Sequence, residues 1–189
     1  ASWLNNRSSA EATYGHISAW ETGVVTDMSR LFFKASSFND DITGWDTSGV
    51  RSMSYMFYGA VSFNQPLNGW NVAKVTNMNS MFSTASSFDQ RLGDWRLDSV
   101  TSMSYMFCDA SAFNQDLGWC VDADVNVDYA FDETRCESTS CGVGTEEFGT
   151  CDEGIQAVFI ILIVWACLVA LFCMSNLPFC DDHKDEETA

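Results

Sequence analysis

The chain has 189 residues, a length that predicts one folded domain. Its 26 acidic residues against 9 basic ones give a net charge of −17, which excludes a nucleic-acid backbone and argues against an anionic lipid surface as partner. Its two histidines, His16 and His183, lie near opposite ends of the chain, so no Ser/His/Asp or Cys/His arrangement can form within one copy and catalysis is not expected.

Residues 1–16 read as an N-terminal cap. No secretory leader is visible ahead of them, so the chain is expected to start at a processed end. From residue 17 to 118 the sequence repeats. Trp20, Trp45, Trp70 and Trp95 are 25 residues apart and Trp119 follows 24 later. A fixed period of this length marks a stacked repeat protein, because each unit is too small to bury its own apolar face. Val25, Val50, Val75 and Val100 keep the step, as do Met28, Met53, Met78 and Met103, and Phe32, Phe57, Phe82 and Phe107. Phe38, Phe63, Phe88 and Phe113 form a further column, and Ile17, Ile42, Leu67, Leu92 and Leu117 close the circuit three residues before each Trp. These residues are the predicted core.

Within a unit, Leu67-Trp70-Val72 and its copies suit a short parallel strand. Val75, Met78, Met81, Phe82 and Ala85 recur at the spacing of a helix stripe two to three turns long. The expected fold class is therefore an α/β repeat solenoid: a short, right-handed, leucine-rich-repeat-like stack of 4–5 coils, each a strand, a short helix and a return loop. Asn39, Asn64, Asp89 and Asn114 share one place in that return loop, where a polar side chain would bond backbone of its own and the next coil.

The run Val75-Thr76-Asn77-Met78-Asn79-Ser80-Met81-Phe82, then Ala85-Ser86-Ser87-Phe88-Asp89-Gln90 and Leu92 with Trp95, resembles the BspA-like leucine-rich-repeat surface proteins. It is most similar to the variant found in mycoplasma surface lipoproteins and in algae. The resemblance covers about residues 12 to 151. It implies a right-handed solenoid displayed outside the cytosol, with roles in adhesion or protein binding and no catalytic residues.

Residues 119–154 read as a cysteine-rich C-terminal cap. Cys120, Cys136, Cys141 and Cys151 cluster there. Proximity favours Cys120 with Cys136 and Cys141 with Cys151, staples over the open end of the stack, with Cys108 left free. A zinc site is the rival reading, weakened by the lack of C-x-x-C spacing and of a nearby His. Disulfides point to an oxidising or lumenal compartment. Between Asp122 and Glu153, ten acidic residues face the single Arg135; this is a solvated face or one that favours a basic partner or divalent cations.

Residues 155–177 carry no charge and are long enough to span a bilayer as one helix. An acidic tail, 178–189, follows. Cys180, after Pro178-Phe179, is a lipidation candidate at the membrane edge, with a free thiol as the alternative. No metal or cofactor is implied. A pigment or lipid could be held only at the span, whose ends offer Gln156 and Asn176.

The tenth and thirteenth residues after each Trp read Arg30/Phe33, Tyr55/Tyr58, Ser80/Ser83 and Tyr105/Cys108. Phe33, Tyr55, Tyr58 and Tyr105 are thus an expected outward aromatic ladder, suited to a partner surface or to a sugar face, or else a cover for neighbouring core. The residue after each Trp gives a second row, Glu21, Asp46, Asn71 and Arg96, whose charge changes along the stack. The sequence is read as a single-span membrane protein whose extracellular or lumenal repeats bind other proteins. Two settings fit: an accessory or scaffolding subunit of a membrane complex, for instance in a thylakoid, or a cell-surface adhesion protein binding protein or glycan.

Overall fold

A computed structural model describes residue 4 and residues 6–145 of the chain. The stack begins with helix α1, Arg7–Tyr14. The Asn6 side chain caps it by accepting the Ser9 N–H at 3.1 Å. Gly15 ends it at φ 73° and donates its N–H to the Glu11 carbonyl, a left-handed stop that glycine adopts without a side-chain clash. Ala10 is the buried residue of α1, and Arg7 reaches Asp40 at 2.7 Å. A 3-10 turn, Ile17–Ala19, leads into the first repeat.

The repeats are not strand and helix. Among the described residues the only paired strands are two of two residues each, β1 (Cys120–Val121) and β2 (Gly144–Thr145), parallel to one another. Between Trp20 and Trp119 the chain is built of turns, which corrects the α/β solenoid expectation. The stretch Leu67-Trp70-Val72 forms no strand. The parallel contacts fall instead on single residues inside the expected helix, Asp27, Ser52, Asn77, Ser102 and Asn126, each bridged to the next.

Two facts explain why the apolar stripe of residues 75–85 does not form a helix. The first is its amide bonding. Met78, Ser80, Phe82 and Thr84 donate to the carbonyls of Ser102, Ser104, Met106 and Cys108, while Met81, Ser83 and Ala85 donate three residues back within the coil. Half of the N–H groups are thus spent on the neighbouring coil, which an α-helix cannot do. The second is backbone handedness. Ser80 and Thr84 lie at φ 53° and 56°, and Arg30, Lys34, Tyr55, Gly59, Tyr105 and Asp109 take the same left-handed places in other coils. The segment is also rich in Ser, Asn and Thr, which favour caps and turns over helix interiors.

The side-chain columns stand as the period requires. Trp45 and Trp70 stack with ring centroids 6.4 Å apart, and Trp95 and Trp119 at 6.1 Å. Each buried indole N–H finds an acceptor in the coil before it: Trp45 donates to Ile17, Trp70 to Ile42, Trp95 to Leu67 and Trp119 to Leu92. Phe57 and Phe63 pack at 4.0 Å within a coil and meet Phe82 and Phe88 of the next at 5.4 and 6.0 Å. In the return loop, Asn39, Asn64 and Asp89 each accept the N–H of Asn64, Asp89 and Asn114 respectively, 25 residues on. Gln65, Gln90 and Gln115 add their amides to the same oxygens.

The rhythm does not fail after Trp119. A further coil, shortened by one residue, carries Val125, Tyr129 and Phe131, with Phe131 5.8 Å from Phe107. Residues 135–145 close over it: Arg135 donates to Phe113, Leu117 to Cys141, and Gly144 to Trp119. Cys136 is bonded to Cys141, so neither expected pairing, Cys120 with Cys136 or Cys141 with Cys151, forms. Cys120 is disulfide-bonded as well. A bond across five residues locks one tight turn, where proximity in sequence had suggested two longer staples.

Cys151, the expected membrane span 155–177, Cys180 and the acidic tail lie outside the described residues. The single-pass membrane assignment, with its extracellular or lumenal placement, is corrected: no helix among the described residues is long and apolar enough to cross a membrane.

Candidate functional site

The aromatic stripe separates into two clusters. In the first two coils, the Phe33 ring lies 5.1 Å from Tyr58, near parallel, and 6.4 Å edge-on from Tyr55, with Tyr55 and Tyr58 5.9 Å apart. Phe33 is exposed, and the two tyrosines are half-buried. The Arg30 guanidinium stands 5.1 Å from the Tyr55 ring centre and 5.7 Å from that of Phe33, and the Lys34 ammonium 5.3 Å from Phe33. Cations over ring faces hold both groups in place at roughly 0.5–1 kcal/mol per exposed contact. The result is an aromatic patch with a positive rim on a strongly acidic protein.

The third coil interrupts the stripe with Ser80 and Ser83, both buried. Beyond it, Tyr105 stacks on Tyr129 at 4.9 Å, and both are exposed. Desolvation and the nearby Tyr129 push the Tyr105 phenol above its ordinary pKa. Cys108, half-buried beside this pair, donates to Asp109 at 3.7 Å. Burial first, and the Asp109 charge second, push its thiol up to about 11. It is not a nucleophile at neutral pH.

The second row behaves differently. Glu21, Asp46, Asn71 and Arg96 are exposed, yet three of them are bound locally. Asp46 accepts the Ser48 N–H and Asn71 that of Ala73, two residues on in each case, and Arg96 pairs with Asp98 at 3.0 Å. They shape turns. The Ser48 hydroxyl, then the Ser48 amide, hold the Asp46 carboxyl below its usual range; Ser29 and Thr43 do the same for Asp27 and Asp41. Asp40, bound to Arg7, and Asp41, bound to Thr43, are thereby occupied as turn and cap residues. Among the described residues no cluster of His, Cys, Asp and Glu is arranged to hold a metal.

Sequence reasoning missed Tyr129, which pairs with Tyr105 across the step of 24 rather than 25. It also missed the cationic rim. Arg30 and Lys34 are four apart at two left-handed positions of one coil, a relation no periodicity of apolar residues reveals.

The family described as "Mycoplasma protein of unknown function, DUF285" matches residues 4–135. The chain belongs to this family. The match spans α1, every coil and both aromatic clusters, so the DUF285 repeat includes the whole surface just described. No curated protein and no solved structure matches the chain.

Proposed function

We propose that this DUF285 protein is a non-enzymatic interaction module of the BspA-like kind, an accessory or scaffolding subunit that docks another protein on the patch of Phe33, Tyr55 and Tyr58 rimmed by Arg30 and Lys34. The observation that carries the reading is Ser80 and Ser83. They occupy the same two repeat positions without disturbing the stack, so the rings at coils one and two serve no need of the repeat itself. Clustered aromatics next to arginine are the groups that dominate interface energies. Their positive rim favours a partner surface that carries carboxylates or aromatic rings.

The test is the double change Tyr55→Ser and Tyr58→Ser, with Tyr105→Ser as control. Purified from its native source, the protein should lose its partner in the double variant and keep it in the control. Because both tyrosines are half-buried, the melting temperature should fall by only a few degrees. Retention of the partner by the double variant refutes the assignment. A second reading, glycan binding, draws on the exposed Tyr105–Tyr129 pair among Asp109, Asp128 and Asp132, since stacked rings flanked by carboxylates suit a sugar face and its hydroxyls. Loss of glycan-array binding in Tyr105→Ser is its check.

A further inference from the structure

Every inner coil passes its amides to the one after it. Met28, Arg30, Phe32 and Lys34 donate to the carbonyls of Ser52, Ser54, Met56 and Tyr58, and the same four-rung register recurs at each later junction. One bond returns: Arg51, Thr76, Thr101 and Asn126 donate to Thr26, Arg51, Thr76 and Thr101. Carried back one step, this register names the groups that a coil ahead of the first would meet. They are the carbonyls of Asp27, Ser29, Leu31 and Phe33 and the N–H of Thr26. None of the five has a hydrogen-bond partner among the described residues. Beside them lies a cleft of 690 Å³ walled by Tyr14, Trp20, Val25, Met28 and Leu31. An ordered row of open backbone groups next to apolar pockets is a template for an added chain segment.

We propose that this edge binds a segment of another protein, laid parallel to residues 26–33 and folded in the turns of a preceding coil. The edge sets the chemistry of the segment. Alternate amides must face the four carbonyls, and apolar side chains must enter the cleft over Met28 and Leu31. Glu21 and Asp27 line the cleft at one end and Lys34 stands at the other, its ammonium over the Phe33 ring, so the segment is basic at its start and acidic at its end. A second copy of this chain does not fit. Its complementary edge is the last coil, and the residues beyond that coil occupy the tryptophan column, where Leu117 donates to Cys141 and Gly144 to Trp119. In the first coil that column is already filled by Trp20 stacked on Trp45. Joining the two edges would put both segments in one place.

The probe is a fluorescent synthetic peptide with the sequence of residues 51–60, carrying Glu in place of Gly59, titrated by anisotropy into the full chain. It places Arg51 near Asp27 and its Glu near Lys34. Saturable one-to-one binding is expected. N-methylation of the peptide amides at Met53 and Phe57, whose counterparts within the stack donate to Asn77 and Met81, removes two rungs and should weaken binding about tenfold or more. N-methylation at Ser54, whose amide makes no such rung, should change it by less than about twofold. Leu31→Arg in the protein should weaken binding comparably to the loss of the two rungs. The proposal is overturned by absence of saturable binding, by equal effects of the two methylation patterns, or by self-association of the full chain that the peptide competes away. It adjoins the aromatic patch, sharing Phe33 and Lys34 with it but neither Tyr55 nor Tyr58. Loss of peptide binding in the Tyr55→Ser, Tyr58→Ser protein would move the peptide to that patch and overturn the assignment of this edge.

Discussion

Trp70 is the residue on which stacking can be measured. It is 3% exposed, 6.4 Å from Trp45 and 6.3 Å from Phe57, and its indole N–H donates to Ile42 at 3.2 Å. Trp70→Ala should cost about 3–5 kcal/mol for the ring and the cavity it leaves. Trp70→Phe keeps most of the ring but strips the Ile42 carbonyl of its donor, which should cost about 1–3 kcal/mol. Trp20 is half-buried at the first coil whereas Trp70 is buried, so Trp20→Ala leaves less of a cavity and should lose clearly less than Trp70→Ala. At roughly 2–4 °C per kcal/mol for a chain of this size, the excess loss of Trp70→Ala over both Trp70→Phe and Trp20→Ala is resolvable by calorimetry, with urea unfolding as a second measure. Equal losses at Trp70 and Trp20 would refute the view that burial between coils sets the cost of losing each indole.

Thr84 is a β-branched residue at φ 56°, in the place Gly59 takes one coil earlier. Thr84→Gly relieves roughly 1–2 kcal/mol of left-handed strain against about 0.5–1 kcal/mol of added chain entropy, so a small rise in melting temperature is expected and a fall would refute the strain. Asn64 accepts from both Asp89 and Gln90; Asn64→Ala should cost about 1–3 kcal/mol in urea unfolding. Asn64→Asp should be milder because Asp89 performs the same task for Asn114 and Gln115. Cys108, with its thiol pushed up to about 11, should alkylate at pH 8 at least about tenfold slower than an unperturbed cysteine, and Asp109→Asn should speed it; an ordinary rate would show that the thiol is not held as described.

The period and the core were legible because a stacked repeat must place the same residue type at the same step. Met53, Phe57, Phe63, Trp70 and their copies are buried as expected, apart from Trp20, which is half-buried. The secondary structure was not legible from that pattern. Apolar residues at 75, 78, 81, 82 and 85 face one side in a helix, and they also face one side in a chain of turns whose alternate amides point to the next coil. Composition could have separated the two, since Thr76, Asn77, Asn79, Ser80, Ser83 and Thr84 are poor helix formers. The disulfide could not be read from spacing: four cysteines permit three pairings, and the choice depends on the turn that brings Cys136 to Cys141. Of the site, Phe33, Tyr55, Tyr58 and Tyr105 were visible as departures from serine, whereas the local bonds of Asp46 to Ser48, Asn71 to Ala73 and Arg96 to Asp98 were not.

The same backbone explains why the aromatic positions are available for binding. Tyr55, Tyr105 and Tyr129 sit at φ 58°, 57° and 56°, a conformation that costs an L-residue roughly 1–2 kcal/mol and that the lateral hydrogen bonds of the stack impose on whichever residue stands there. Their amides are held: the Tyr55 N–H by Asn79 and the Tyr105 N–H by Asp128. The side chain at this position is therefore fixed at its root without being needed for the core, as Ser80 demonstrates by filling it with a hydroxymethyl group while its N–H still bonds Ser104. A ring placed there needs no further ordering of its backbone when a partner covers it, and ordering entropy is among the main costs of association. A repeat that rigidifies the backbone at one non-core position per coil thus offers a row of places where a single change from Ser to Tyr adds a preorganised contact without repacking the interior. In this chain the first two coils, where Arg30 and Lys34 flank the rings, carry that change most fully.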